Sequence, residues 1–374
     1  MTERHLHIVS FDIPSPPNYG GVIDVYYKIK ALHELGVKVH LHCFEYGRKL
    51  DKELTKICYS VKSYRRKVSK HLLFNQLPYI IVTRQSEVLI SNLVKDKYPI
   101  LFEGMHSCFY LNDFRLAHRK KYVRMHNIEA EYYKGLGSAE KNVFKKLYFY
   151  TEANKLKAFE NSLKGAETIF AITEKDTAYL SNLNFKTHTV SAFHQFNTIQ
   201  VKPIESNYAL YHGNLSVGEN NLAALYLVNE VFNDLPYNLI IAGNHPSKAL
   251  RRAVSKNINV TLIADSDHVK INHLIAEAKI NVLPTFQDTG IKLKLLNALY
   301  CGQHCLVNDY MVKGTGLEKL CVIANSPNEW KLKVENLFKT PFDINETNKR
   351  DSIFSLQFNN KTNASRIVEE IFGA

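Results

Sequence analysis

The alternation of apolar and polar positions divides the chain into two series of strand and helix patterns. At the start, residues 5–11 (HLHIVSF) read as a strand, Asp12–Gly21 as a Pro/Gly loop, Val22–Leu35 as a helix stopped by Gly36, and Val37–Phe44 as a second strand. A strand, a crossover helix and a parallel strand imply a doubly wound sheet, whose ligands lie beyond the carboxyl ends of its strands. Apolar strands are also predicted at Pro99–Phe102, Lys121–Met125 and Thr168–Ile172. Between the last two lies a long helical pattern, Ser138–Lys164, in which Phe144, Leu147, Tyr148 and Phe149 alternate with Lys141, Lys145 and Lys146. A basic amphipathic helix of this kind suits a membrane surface. Glu140, Glu152 and Glu160 weaken that reading, and core packing is the expected use of the stripe.

The pattern loosens into a polar linker at Asn197–Asn207. A second α/β series then begins: strand Tyr208–His212, loop Gly213–Glu219, helix Asn220–Phe232 and strand Asn238–Ala242, with further strands at Val260–Ile263 and Ile280–Leu283. From Pro284 to Val307 the pattern gives a strand end, a turn closed by Gly290, a helix through Tyr300, a stop at Gly302 and an apolar strand. Asn360–Phe372 reads as an amphipathic closing helix. The expected architecture is α/β, with two doubly wound Rossmann-like domains facing each other across a cleft. Residues 1–200 form the first domain, 201–355 the second, and 356–374 a terminal helix returning to the first.

Length agrees with this division, since 374 residues exceed what one core usually organises. No apolar run reaches the roughly 18 residues needed to span a bilayer, and the amino terminus enters a strand pattern without a signal-peptide segment. These features predict a cytoplasmic protein. The six cysteines sit in or beside apolar segments without a Cys-x-x-Cys pair and read as reduced, buried thiols. His5/His7 and His40/His42 alternate along strands and read as structural or surface residues.

Charge is unevenly placed. Residues 1–200 hold 30 Lys+Arg against 19 Asp+Glu, which accounts for nearly all of the net charge of +12. The first half is therefore the half that suits an anionic surface or ligand. Two clusters stand out, Lys62/Arg65/Arg66/Lys67/Lys70 and Arg115/Arg119/Lys120/Lys121.

Several function classes lack their motifs. No Gly-x-Gly-x-x-Gly follows a strand, and there is neither a P-loop nor a Gly-x-Ser-x-Gly elbow. No nucleic-acid recognition module is visible. Two loops invite a ligand instead. Gly20 and Gly21 lead straight into a helix, where backbone approaches a ligand without an intervening side chain. Lys292 falls in the first turn of the helix after Gly290, where free N–H groups and the dipole favour a phosphate. Lys294 faces another side of that helix and reads as a surface lysine.

These loops, taken in order, resemble the GT-B glycosyltransferases, and within them the family-4-like retaining enzymes of group 1. The matching pieces are Pro17–Leu35 (PNYGGVIDVYYKIKALHEL), Tyr122–Tyr133 (YVRMHNIEAEYY), Phe170–Asp176 (FAITEKD), Tyr211–Asn221 (YHGNLSVGENN), Ile241–Gly243 and Thr289–Gly302. The resemblance implies transfer of a sugar from a nucleoside-diphosphate sugar to a glycan or lipid-linked acceptor, in cell-envelope or capsular polysaccharide synthesis. It implies no cofactor beyond the nucleotide sugar as co-substrate and no resident metal, in keeping with a reading in which no Asp-x-Asp metal motif is evident. The basic first half would suit an acceptor carried at an anionic membrane.

By the same resemblance, Gly20 and Gly21 lie beneath the donor diphosphate and His126 contacts the transferred sugar, while Glu103 and His106 line the acceptor side. Gly213, Asn214, Asn220, Thr289, Gly290, Lys292 and Asn297 form the donor-binding set. The chain departs from the family there. Typical members carry Arg or Ser where Asn214 stands, Lys where Asn220 stands, and a Glu-x7-Glu pair where Thr289 and Asn297 stand. The alternative implied by those departures is a degenerate, non-catalytic relative that serves as a binding or scaffold partner.

Overall fold

The computed structural model describes residues 3–140, 142–287 and 292–373. The chain forms two compact units: one runs to Gln195 and resumes at Leu356, and the other comprises Phe196–Ser355. Unit 1 is built on seven strands: β1 (His5–Ser10), β2 (Lys38–Glu45), β3 (Ser60–Arg65), β4 (Ile100–Glu103), β5 (Lys121–Met125), β6 (Thr168–Ala171) and β7 (Thr187–Thr189). All pair in parallel, in the order β3-β2-β1-β4-β5-β6-β7. Unit 2 repeats the plan with β8 (Tyr208–His212), β9 (Asn238–Gly243), β10 (Val260–Ala264), β11 (Ile280–Leu283), β12 (His304–Val307) and β13 (Val322–Ile323). Their order is β10-β9-β8-β11-β12-β13, again parallel. In each unit the order reverses beside the first strand, so the loops after β1 and β4, and after β8 and β11, flank a switch point where α/β sheets bind ligands.

Parallel strands buried on both faces need continuous apolar sequence. On one face of unit 1, Leu6 and Ile8 pack with Val25, Ile29 and Leu32 of the helix Gly20–Glu34 and with Ala364, Ile367, Val368 and Ile371 of the helix Asn360–Phe372. On the other, Val9, Phe102 and Val123 pack with Leu89, Ile90, Met105 and Leu156. The predicted helix 138–164 is in fact a hairpin of two helices, Glu129–Ala139 and Val143–Phe159. Its aromatic stripe divides: Tyr148 and Phe149 are half-buried, Phe149 against Tyr133, whereas Phe144 and Leu147, with Val143 beside them, are exposed. Periodicity marks which residues share a face, and among the described residues no element covers Phe144 and Leu147.

The strand histidines form a continuous interior chain. Tyr64 Oη, which accepts from Asn92 Nδ2 (3.1 Å), donates to His42 Nδ1 (2.7 Å). His42 Nε2 then donates to His7 Nδ1 (2.8 Å), and His7 Nε2 donates to Asp96 (3.0 Å). Beside it, His5 Nδ1 meets His40 Nε2 at 2.9 Å, and His40 Nδ1 meets Ser60 Oγ at 3.0 Å. Each nitrogen–nitrogen contact can hold only one proton, so protonating a member places two donors face to face. Burial lowers His7 to about 4 against the opposing pull of Asp96, and burial together with neighbouring histidines and Lys62 lowers His42 and His40.

Because these folded-state values lie below the unfolded value of about 6.5, the stability is present above that pH and is lost as pH falls toward 4. Denaturation of the wild type should therefore weaken below about pH 6.5, by at most about 1.4 kcal/mol per pH unit for each histidine. His42→Gln, which takes up no proton, should show a shallower fall. An unchanged slope in that variant would place the acid sensitivity elsewhere.

Candidate functional site

Unit 1 gathers charged groups at the carboxyl ends of β1, β4 and β5. Glu103 ends β4, His126 follows β5, and Asp24 and Lys28 lie one turn apart on the buried face of the helix Gly20–Glu34. The Lys28 ammonium donates to Asp24 Oδ2 (3.0 Å) and Glu103 Oε2 (2.8 Å). Arg124 Nη2 donates to Asp24 Oδ1 at 2.9 Å and to the Ser191 carbonyl at 3.0 Å, and Nη1 donates to the Val190 carbonyl. His126 Nε2 donates to Glu103 Oε2 at 3.1 Å, while its Nδ1 stands 3.9 Å from Asp24. Burial by itself would raise the Asp24 carboxyl, but the Arg124 guanidinium and the Lys28 ammonium outweigh it and hold the group far below the usual range.

Asp24, Glu103 and His126 are the one set among the described residues whose ligand atoms lie close enough, within 4.8 Å, to share a metal ion. The Lys28 ammonium already lies between the two carboxylates, where such a cation would sit.

Phe11, just after β1, organises the rim. Its ring lies 5.5 Å from that of His126 and 5.3 Å from that of His106, and a Cβ on Gly21 would meet it at 2.6 Å. Gly104, at φ +66° after β4, turns the chain in the left-handed region; a Cβ there would crowd His106 Nδ1 at 3.0 Å and His126 at 3.6 Å. His106 approaches Glu129 to 3.8 Å. Burial, with Arg84 and His126 nearby, keeps His106 well below its ordinary value, and burial pushes Glu129 up to about 8 in spite of Asn127 and Arg84. At neutral pH this pair is therefore an uncharged imidazole beside a largely protonated carboxyl. Glu103, expected to line an acceptor, is wholly buried and acts behind His126. Gly20 opens the helix with nothing within 4 Å of its Cβ position.

In unit 2 the loops after β8 and β11 come together around one lysine. Lys292 precedes the helix Leu293–Cys301 as its cap residue, not within its first turn, and its ammonium donates to the Gln287 carbonyl at 3.1 Å. Two residues on, Lys294 meets β8 and the helix that follows it. Its Nζ lies 3.1 Å from Asn220 Oδ1 and 5.1 Å above the Tyr211 ring. The residue is half-buried, with its ammonium held between the Asn220 amide and the Tyr211 ring. Desolvation, opposed by Glu219 and helped by Lys292, lowers Lys294 to about 8. The expectation of a surface lysine is thus corrected.

Asn220 also donates from Nδ2 to the Asn214 carbonyl (3.0 Å), while Asn214 Oδ1 closes its own loop on Ser216 N (3.1 Å). Gly243 lets that loop sit against β9, since a Cβ there would lie 1.9 Å from the Gly213 carbonyl oxygen. Burial, with Lys294 nearby, lowers His212 to about 3, and its Nε2 is buried without a hydrogen-bond partner among the described residues. Glu219 accepts from Thr285 Oγ1 beneath the loop. Asn297 follows Lys294 by one turn, half-buried. Thr289 and Gly290 lie outside the described residues. An Asp-x-Asp does occur at Asp265–Asp267, away from these loops, but Asp265 accepts from His245 N (3.2 Å) and Asp267 caps the following helix through Lys270 N (2.8 Å).

Sequence reasoning missed Phe11, Asp24, Lys28, Arg124, Tyr211, Glu219 and Lys294. A lysine and an aspartate at i, i+4 on an otherwise apolar helix face were the one local signal for the first network.

Residues 206–340, all within unit 2, match the family model described as glycosyl transferases group 1. The chain is 25% identical over 338 residues to an uncharacterised 44.6 kDa protein in the cps region of Klebsiella pneumoniae, covering 85% of this chain and 87% of the relative. Its fold is similar to that of sucrose-phosphate synthase from Thermosynechococcus elongatus, with a TM-score of 0.70 at 15% identity over 98% of each chain. It is also similar to Anabaena HepE, solved with UDP and glucose, with a TM-score of 0.66 at 11% identity over 99% of this chain and 100% of that one.

Glu103→Gln leaves a buried lysine and a histidine with half of their counter-charge, and should destabilise unit 1 by about 3 kcal/mol. Adding Lys28→Met, which removes the stranded cation, should restore part of the loss. Thermal melts of the two variants test this. A single variant that melts with the wild type would remove Glu103 from the network.

Proposed function

We propose that the chain, with its GT-B fold and its group 1 match in unit 2, is a glycosyltransferase in which Lys294 supplies the positive charge for the diphosphate of a nucleotide-sugar donor. The observation that carries this reading is the contact between Lys294 Nζ and Asn220 Oδ1 at 3.1 Å. Related enzymes are expected to carry a lysine where Asn220 stands. Here the cation arrives from the other loop and reaches the same place, so the charge is relocated, not lost. Around it, Gly213 lets the Asn220 amide close on the backbone, since a Cβ there would meet it at 3.3 Å, and the Nε2 of His212, without a partner among the described residues, offers a further polar contact.

In the proposed reaction, the bond between the sugar's anomeric carbon and the diphosphate oxygen breaks, and a bond to an acceptor hydroxyl oxygen forms with retained configuration. The hydroxyl proton passes to the departing diphosphate. Lys294 offsets the charge that develops on this leaving group, which is the largest electrostatic demand of the step. The His126–Glu103 pair, with the uncharged His106 and protonated Glu129 beside it, provides the polar rim of unit 1 for a sugar hydroxyl. The cps-region relative supports capsular or other envelope polysaccharide as the setting, with a glycan or lipid-linked acceptor. HepE, solved with UDP and glucose, supports a uridine nucleotide as the first to try.

A thermal-shift panel over UDP, GDP, dTDP, ADP and CMP tests the donor assignment. A nucleotide at 100 times its Kd should stabilise the fold by about 2.7 kcal/mol. Lys294→Ala should abolish that shift, and Lys292→Ala should only reduce it. No response of the wild type to any nucleotide would overturn the reading.

Affinity should also depend on pH. Lys294 is charged below about 8 and neutral above, so nucleotide binding should weaken above that pH by up to about tenfold per unit. Lys294→Arg keeps its charge and should bind almost uniformly from pH 7 to about 9. Equal pH profiles for wild type and Lys294→Arg would assign the titration to another group.

A further inference from the structure

The hairpin of helices Glu129–Ala139 and Val143–Phe159 is clamped near its closed end. Gly137 lets Tyr150 and Phe149 approach to 3.3–3.4 Å of its Cβ position, Ser138 Oγ meets Tyr150 Oη at 3.1 Å, and Tyr133 packs edge-on to Phe149. Beyond this clamp the second helix begins with Asn142 as its cap, accepting from Lys145 N at 3.1 Å. The first residues it presents are apolar and open: Val143 is 75%, Phe144 85% and Leu147 65% exposed. Leu147 lies at i+4 from Val143 and i+3 from Phe144, so it neighbours both on the helix surface. Three large apolar side chains side by side are costly to leave in water and mark an interaction surface.

The tip's charge selects among occupants. Lys145 and Lys146 lie in the same turn, both exposed, and neither forms an ion pair with any described residue. Along the same helix, Lys155 donates to the Leu73 carbonyl (2.9 Å), joining it to the turn Lys70–Phe74, where Phe74 is 91% exposed and Lys70 is exposed as well. Apolar side chains fringed by unpaired lysines, in the half of the chain that holds 30 basic against 19 acidic residues, match an interface of acyl chains beneath anionic headgroups. No described helix is long and apolar enough to cross a membrane, so any attachment through these helices is peripheral.

We propose that this hairpin tip seats unit 1 on an anionic bilayer, with Phe144 and Leu147 entering the headgroup–acyl boundary and Lys145 and Lys146 meeting lipid phosphates. The proposal deepens the lipid-linked acceptor reading and rests on it. Each basic residue near such a surface contributes roughly a fivefold gain in partitioning.

The experiment is co-sedimentation with vesicles of phosphatidylcholine alone and of phosphatidylcholine mixed with phosphatidylglycerol. Wild type should sediment with the mixed vesicles only, and salt should release it. Phe144→Ser with Leu147→Ser, and separately Lys145→Glu with Lys146→Glu, should each lower partitioning at least about tenfold. Both variants should keep the wild-type thermal shift with nucleotide, so loss of vesicle binding and loss of donor binding are read apart. Failure of the wild type to bind mixed vesicles, or equal binding by wild type and variants, would overturn the proposal. So would a wild type that is dimeric and a Phe144→Ser/Leu147→Ser variant that is monomeric without any vesicle binding, since the face would then join two copies of the chain.

Discussion

Everything at the unit 1 site depends on one constraint: Asp24, Lys28, Glu103 and Arg124 are all buried and must neutralise one another. None of the four could be buried alone, because an unpaired charge in the interior costs several kcal/mol. Their pairing fixes three things together. It holds the first helix against β4 and β5, and through Arg124 and Asp24 it ties the backbone at Val190, Ser191 and Phe193 to the same point. It also presents a carboxylate to His126 from behind. The orientation of that imidazole is thus set by an ion network, and the Phe11 ring and the tight Gly104 turn leave it little room to rotate.

Unit 2 uses the opposite electrostatic design. Instead of pairing its cation fully, it encloses Lys294 with an amide, an aromatic face and a single carboxylate at longer range. Desolvation without close neutralisation lowers the lysine toward physiological pH and leaves it short of counter-charge. Under the proposed donor reading, an incoming diphosphate would supply the missing charge, and part of its binding free energy would come from relieving that burial. A fully paired lysine, like Lys28, would gain nothing from the same ligand.

Much of the architecture was legible because parallel strands bury both faces and leave uninterrupted apolar runs, with glycine where loops approach one another. Gly243 illustrates this, since its need for a bare Cα comes from the Gly213 carbonyl across the sheet edge. The buried charges were not legible. Asp24 meets Arg124 across 100 positions of sequence, and only the sheet order brings them together. Lys294 was misplaced because the pattern shows that Lys292 and Lys294 lie on different sides of a helix but not which side faces β8, and only the contacts with Asn220 and Tyr211 decide that. The hairpin misled in another way. Its stripe was real, but a sequence pattern states which residues share a face and says nothing of whether a neighbour exists to cover it.

The altered donor loop now has a physical account. A glutamate at position 297 would stand one turn from Lys294 and could pair with it; asparagine leaves the ammonium uncompensated. A lysine at position 220 would repel Lys294 at hydrogen-bonding distance, whereas asparagine accepts from it. Asn220 therefore removes a cation that would repel Lys294, and Asn297 removes a carboxylate that would neutralise it. Read singly, Asn220 and Asn297 look like losses. Read with Lys294, they are the substitutions that a relocated cation requires, and they keep one unneutralised positive charge beside the Gly213 loop.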